Sequence, residues 1–149
     1  MSRAAIITLA ALGLVVFLAL SLLLARWLTT EGEERDAVYA LLQDQARGDA
    51  GAMLARLDGC ARDAGCATAV ERNATRLRRP GEVKILAYQS ATAYALGGAQ
   101  GRTRVAWTVI DRGLPVVQCV DVERAGSVLA GRTITLRRLS SPIGGESSC

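Results

Sequence analysis

The chain has 149 residues, half of them hydrophobic, with four cysteines, no histidine and a formal charge of +4. Absence of histidine removes the commonest general base and the usual nucleophile–base triads. The charge does not mark a nucleic-acid binder. Setting aside Arg3 and Arg26, sixteen basic residues stand against fourteen acidic ones, a net charge near +2 with the signs interspersed, which is an ordinary soluble surface.

Ala4 to Ala25 carries no charge and no proline. As a helix its 22 residues span about 33 Å, close to the hydrocarbon thickness of a bilayer. Its apolar run exceeds the roughly 7–15 residues of a cleaved signal peptide, and Ala19-Leu20-Ser21 and Leu23-Leu24-Ala25 make poor cleavage sites. Residues 1–28 are therefore expected to be a retained transmembrane signal anchor, the chain's contact with a membrane. Gly13 has Leu9 and Phe17 four positions away, so no small-residue dimer motif is read in the span. Arg3 and Arg26 nearly tie the positive-inside count. The four cysteines beyond the anchor break the tie, because they suit an oxidising compartment. The expected topology has the N-terminus cytoplasmic and the rest extracytoplasmic, at the cell membrane of a bacterium if the Ala/Arg/Gly/Leu-rich composition is a guide.

Trp27 stands where an indole lies at headgroup level. Thr29, Thr30 and Gly32 predict a short juncture over residues 29–32. An amphipathic helix is expected from Glu33 to Arg47, with Val38, Leu41 and Leu42 on its apolar stripe and acids in its first turn. Gly48 suits the position after a helix and Asp49 the next N-cap, so a second helix follows from Ala50 to about Leu57. Cys60 to Cys66 encloses five residues including Gly65, a small loop, and a third helix is expected from Ala67 to Leu77 before Pro80-Gly81.

From Glu82 the pattern turns to period two. Strands are expected over Val83–Leu96, Arg102–Asp111, Leu114–Glu123 and Thr133–Leu139, with Gly97–Gly101 as a hairpin loop and Ser127–Ala130 as a short continuation. Residues 140–149 form a Gly/Ser-rich tail that is loose unless tied down. The expected fold is α+β: three helices packed on one face of a curved antiparallel sheet of about four strands, in a domain over residues 33–139.

The segment Tyr39-Ala-Leu-Leu-Gln-Asp-Gln-Ala-Arg-Gly-Asp49, followed by Met53-Leu54-Ala55-Arg56-Leu57, resembles the opening of nuclear-transport-factor-2-like (cystatin-like cone) domains, as does the order of three helices and long hairpins. The resemblance covers about Glu33 to Leu139 and is similar to membrane-anchored envelope members such as Mce-associated proteins. It implies an accessory protein of the cell envelope, with an envelope protein as partner. The fold hosts enzymes, ligand binders and interaction modules alike, so it assigns no activity.

Four cysteines allow three pairings. Cys60–Cys66 and Cys119–Cys149 are favoured, the first because it is local and the second because it would staple the tail to a strand. With no C-x-x-C and no histidine, structural disulfides are favoured over redox exchange, and no metal ligands or cofactor-binding residues are assigned. Asp111, Asp121 and Glu123 are the acids on or beside strands, but Asp121 and Glu123 share a face expected to be solvated, so no catalytic residue is assigned. Arg72, Arg76, Arg78 and Arg79 could meet acidic headgroups or an anionic polymer, against the simpler reading of a solvated helix face, and Arg137-Arg138 are read the same way. The sequon Asn73-Ala74-Thr75 lies mid-helix and is discounted. Tyr88, Tyr94 and Trp107 are expected in the core or lining a cone cavity. The resulting expectation is a non-enzymatic, membrane-anchored interaction module without cofactor or nucleic-acid partner, a homodimer being compatible with it. The alternatives are a small-ligand binder using the cone cavity or a carboxylate-dependent enzyme.

Overall fold

A computed structural model describes residues 3–92, 98–110, 112–127 and 131–149. The architecture is α+β. One long helix, α1 (Arg3–Arg47), is followed by α2 (Ala50–Arg56), a 3-10 turn (Cys60–Arg62) and α3 (Ala64–Arg76). Four strands follow, β1 (Val83–Gln89), β2 (Ala99–Val109), β3 (Arg112–Ser127) and β4 (Gly131–Leu139), all antiparallel in the order β1-β2-β3-β4.

The expected juncture at residues 29–32 is helical, so the apolar stretch and the first domain helix are one element. Thr29, Thr30 and Gly32 are weak helix formers. Their weakness is local, however, and tertiary contacts beyond them hold the helix. Ile6–Ala25 is long and apolar enough to cross a membrane, and none of it is buried against the domain. Val38, Leu41, Leu42 and Ala46 are fully buried against the sheet. Gly48 ends α1 at φ 79°, where a Cβ would sit 2.9 Å from the Arg78 side chain. The Asp49 carboxylate then caps α2 by accepting from Ala52 N at 2.9 Å.

Helix α3 begins at Ala64, three residues earlier than its apolar spacing suggests. Asp63 causes this: its carboxylate accepts from Gly65 N and Cys66 N, so Cys66 lies in the first turn and not in a loop. At the foot of β1, Gln43 donates through Nε2 to Gly81 O at 2.8 Å and accepts from Val83 N at 3.1 Å, tying α1 to the sheet.

Within the sheet, Thr103, Val105, Trp107 and Val109 of β2 face the helices, with Val116, Gln118, Val120, Val122 and Arg124 of β3 beside them. A bulge at Leu86 lets both Ile85 and Tyr88 pack on that inner face. β1 ends at Gln89, well short of Leu96, because Ser90 and Thr92 turn away to contact α1. Gln100 and Gly101, expected in a hairpin loop, belong to β2 and pair with Glu123 and Val122. A side chain at Gly101 would meet Ala91 Cβ at 2.9 Å, so the residue is required by close approach within the strand. β3 is longer than Leu114–Glu123, and its extension carries Arg124 into the interior.

The tail does not hang free. Ile143 N donates to Val117 O at 2.8 Å, Arg104 Nε donates to Ser147 O at 3.0 Å, and Cys149 is bonded to Cys119. It covers part of the outer face of β2 and β3. Tyr94, Asp111 and the stretch 128–130 lie outside the described residues, as does the side chain of Trp27.

Candidate functional site

The most developed polar constellation surrounds Glu34, one of the acids in the first turn of the expected amphipathic helix. Its side chain has no solvent exposure. Nine residues past Ala25, it sits about 13 Å up the helix from the end of the apolar stretch. One carboxylate oxygen accepts from Tyr88 Oη and Thr103 Oγ1, both at 2.7 Å. The other accepts from Thr92 Oγ1 at 2.7 Å, Ser90 Oγ at 3.3 Å, and Arg124 through Nε at 2.9 Å and through Nη2. Arg124 is itself only 2% exposed.

Three strands thus converge on one carboxylate of the helix. A buried charge is tolerated only when paired and fully hydrogen-bonded, and this one is both. Burial pushes the Glu34 carboxyl upward, but hydrogen bonds from Tyr88, Thr103, Thr92 and Arg124 outweigh it and hold the group below its ordinary value of 4.5. Burial and the neighbouring carboxylate together push the Tyr88 hydroxyl well above its ordinary value, so it stays a donor.

A depressed carboxyl binds fewer protons folded than unfolded in the window between its folded value and about 4.5. The stability it confers is therefore whole above that window and drains as pH falls through the folded value. Urea midpoints measured from pH 5 to pH 3 are expected to fall more steeply in the native protein than in Glu34→Gln. Equal slopes would contradict a charged Glu34 held by these hydrogen bonds.

A second buried network lies at the far end of the domain. Trp107 Nε1 donates to Gln118 Oε1 at 2.8 Å, and Gln45 Nε2 donates to the same oxygen at 3.0 Å. Gln118 Nε2 donates to Ser140 O at 2.8 Å. Asp44, one residue earlier on α1, is buried and paired with Arg47 and Arg56.

Of the residues singled out in the sequence, Trp107 is fully buried and Tyr88 is half-buried with its hydroxyl on Glu34. Both fill the space between helices and sheet, and four grooves described on the surface lie elsewhere. Cys60 is bonded to Cys66 with Cα atoms 5.2 Å apart, and Cys119 to Cys149 at 5.8 Å. The second bridge closes a loop of about 30 residues, for which chain entropy gives roughly 3–4 kcal/mol.

Asp121 and Glu123 do share an outer groove of about 470 Å³, but each already has a cation: Arg102 on Asp121 at 2.9 Å, Arg137 on Glu123 at 2.7 Å. Hydrogen bonding and charge from Arg137 hold Glu123 below the ordinary carboxylate value, which weakens it as a general base. Arg138 pairs with Asp63 at 2.7 Å. No group of three or more metal-ligating side chains occurs among the described residues.

Glu34 and Arg124 were the residues missed, and each had a signal. Glu34 stands on the stripe of Val38, Leu41 and Gln45 at helical spacing, and Arg124 continues the inward alternation of Val116, Gln118, Val120 and Val122. The arrangement mechanically joins α1 to three strands; the carboxylate has no open side on which a substrate could sit. Comparison with family models, with curated proteins and with solved structures finds no match for this chain.

Proposed function

We propose that the chain is a single-pass envelope protein whose extracytoplasmic domain acts by protein–protein contact, without catalysis. The observation that carries this reading is the unbroken helix from Ile6–Ala25 into the domain core, locked there by Glu34. A helix fixed at both ends sets the height and orientation of the domain above a bilayer, which suits a module that must meet a neighbour at a defined distance. The two disulfides favour an oxidising compartment and hence a domain outside the cytosol. The order of three helices and an antiparallel sheet is in keeping with the cystatin-like cone resemblance and its envelope-accessory members.

A ligand-binding cone is the lesser reading, because Trp107 and Tyr88 occupy the interior that a ligand would need. An acid-dependent enzyme is lesser still, since Asp121 and Glu123 are each neutralised by arginine. Crosslinking of the full-length protein in intact membranes is expected to recover one envelope protein in near-stoichiometric yield. Protease added from outside is expected to digest the domain. Recovery of no partner, or a domain shielded from outside protease, would contradict the proposal.

A further inference from the structure

We propose that the groove between α3 and the Ser141–Pro142 turn docks an acidic segment of a partner protein, with Arg72 and Arg76 taking its carboxylates. The inference rests on the reading of the domain as an anchored interaction module. The groove has a volume of about 320 Å³ and is lined by Arg72, Asn73, Arg76, Leu77, Ser141 and Pro142. It contains two cations and no carboxylate. Three other grooves among the described residues hold their own counter-charges: Asp121 and Glu123 in one, Asp121 in the second, Asp58 and Asp63 in the third.

The arginines of the outer sheet face follow the same contrast. Arg102, Arg137 and Arg138 are ion-paired. Arg72 and Arg76 are exposed, and their guanidinium groups have neither a hydrogen-bond nor an ion-pair partner among the described residues. One helical turn apart on α3, they present two guanidinium forks, the geometry that carboxylates accept in bidentate fashion. Leu77 and Pro142 add an apolar floor.

The wall of the groove is fixed before any ligand arrives. Asn73 Nδ2 donates to Ser140 O at 3.0 Å, Ile143 is bonded to Val117, and the tail is stapled through Cys119–Cys149. Such preorganisation lowers the ordering that binding must impose.

Height decides between a protein and the membrane as the source of the anion. Arg79 N donates to Ala46 O at 2.9 Å, which ties the end of α3 to a point 21 residues beyond Ala25 on α1. That is about 30 Å along the helix, several times the Debye length of about 8 Å at physiological salt. With Ile6–Ala25 in the bilayer, the headgroups of that bilayer are out of reach of these arginines. An acidic stretch of a neighbouring protein is not.

The test uses full-length protein in nanodiscs of zwitterionic lipid and a fluorescent hexapeptide of alternating glutamate and leucine. Saturable binding is expected, weakened about tenfold or more by Arg72→Glu/Arg76→Glu, since two exposed pairs become two repulsions. Arg62→Glu, an exposed arginine away from the groove, is expected to leave binding unchanged. The thermal midpoint of each variant should match the native protein, because both sites are on the surface. Absence of saturable binding, equal loss in Arg62→Glu, or full displacement by inorganic phosphate at constant ionic strength would overturn the assignment. If the peptide fails while membrane crosslinking still yields a partner, the groove assignment falls and the anchored-module reading stands.

Discussion

Glu34→Ala is expected to destabilise the domain by about 3–5 kcal/mol, the usual penalty for removing one partner of a buried ion pair. The substitution leaves Arg124 charged and 2% exposed, with no counter-ion. It also removes the acceptor of the Tyr88, Thr92 and Thr103 hydroxyls, the last two fully buried, and leaves Thr92 Oγ1 only its contact with Ser90 Oγ at 3.1 Å. Each such loss adds to the penalty, because an unsatisfied buried donor costs more than a hydrogen bond contributes. The double variant Glu34→Met/Arg124→Met should recover the part of the loss that comes from the uncompensated Arg124 charge, since an apolar pair demands no counter-ion, while the three hydroxyls stay without this acceptor. Urea unfolding of the full-length protein in detergent micelles, followed by Trp107 emission in a Trp27→Phe background, measures both. A single variant within about 1 kcal/mol of native would show that the pair is exposed and of the kind that contributes little.

Trp107→Ala is expected to cost a further large amount, about 3–5 kcal/mol, from lost burial and the cavity that remains. Trp107 is the largest of the fully buried side chains. Its indole also donates to Gln118, which links α1 through Gln45 and the tail through Ser140. Trp107→Phe separates the two contributions: it keeps most of the volume and loses the hydrogen bond, for an expected cost nearer 1–3 kcal/mol. Gln118→Leu is expected to destabilise although it makes the core more apolar, because the Trp107 and Gln45 donors lose their shared acceptor. A stabilised Gln118→Leu would show that the network is not holding the core together.

Elements with one strong period were legible in the sequence. The alternation of Thr103, Val105, Trp107 and Val109 placed β2, and Gly48-Asp49 placed the break between α1 and α2. The closeness of Cys60 to Cys66 in the chain, and a tail that needed tying down, pointed to the same two cysteine pairs that the structure holds. What could not be read locally was decided by contacts distant in sequence. Thr29, Thr30 and Gly32 look like a break, yet the helix passes through them because Glu34 is gripped by residues 54 to 90 positions later. Gly101 looks like a loop residue, yet it serves a strand because Ala91 and Thr92 press against it. The polar core residues were the hardest to place. Gln118 and Arg124 obey the same inward parity as the valines, but their polarity argues for the surface until their partners on α1 and β4's end are known.

With Ile6–Ala25 in a bilayer, as proposed, these contacts make α1 a strut running from that segment into the core, and amide hydrogen exchange across residues 26–33 tests that directly. In full-length protein held in nanodiscs, protection at these amides is expected to approach that of residues 35–45. The helix is continuous, and Glu34 clamps its upper side. Glu34→Ala should then raise exchange selectively across residues 26–33. Rapid exchange at 26–33 in the native protein, with protection resuming only at the domain, would mean a flexible tether and would contradict the strut.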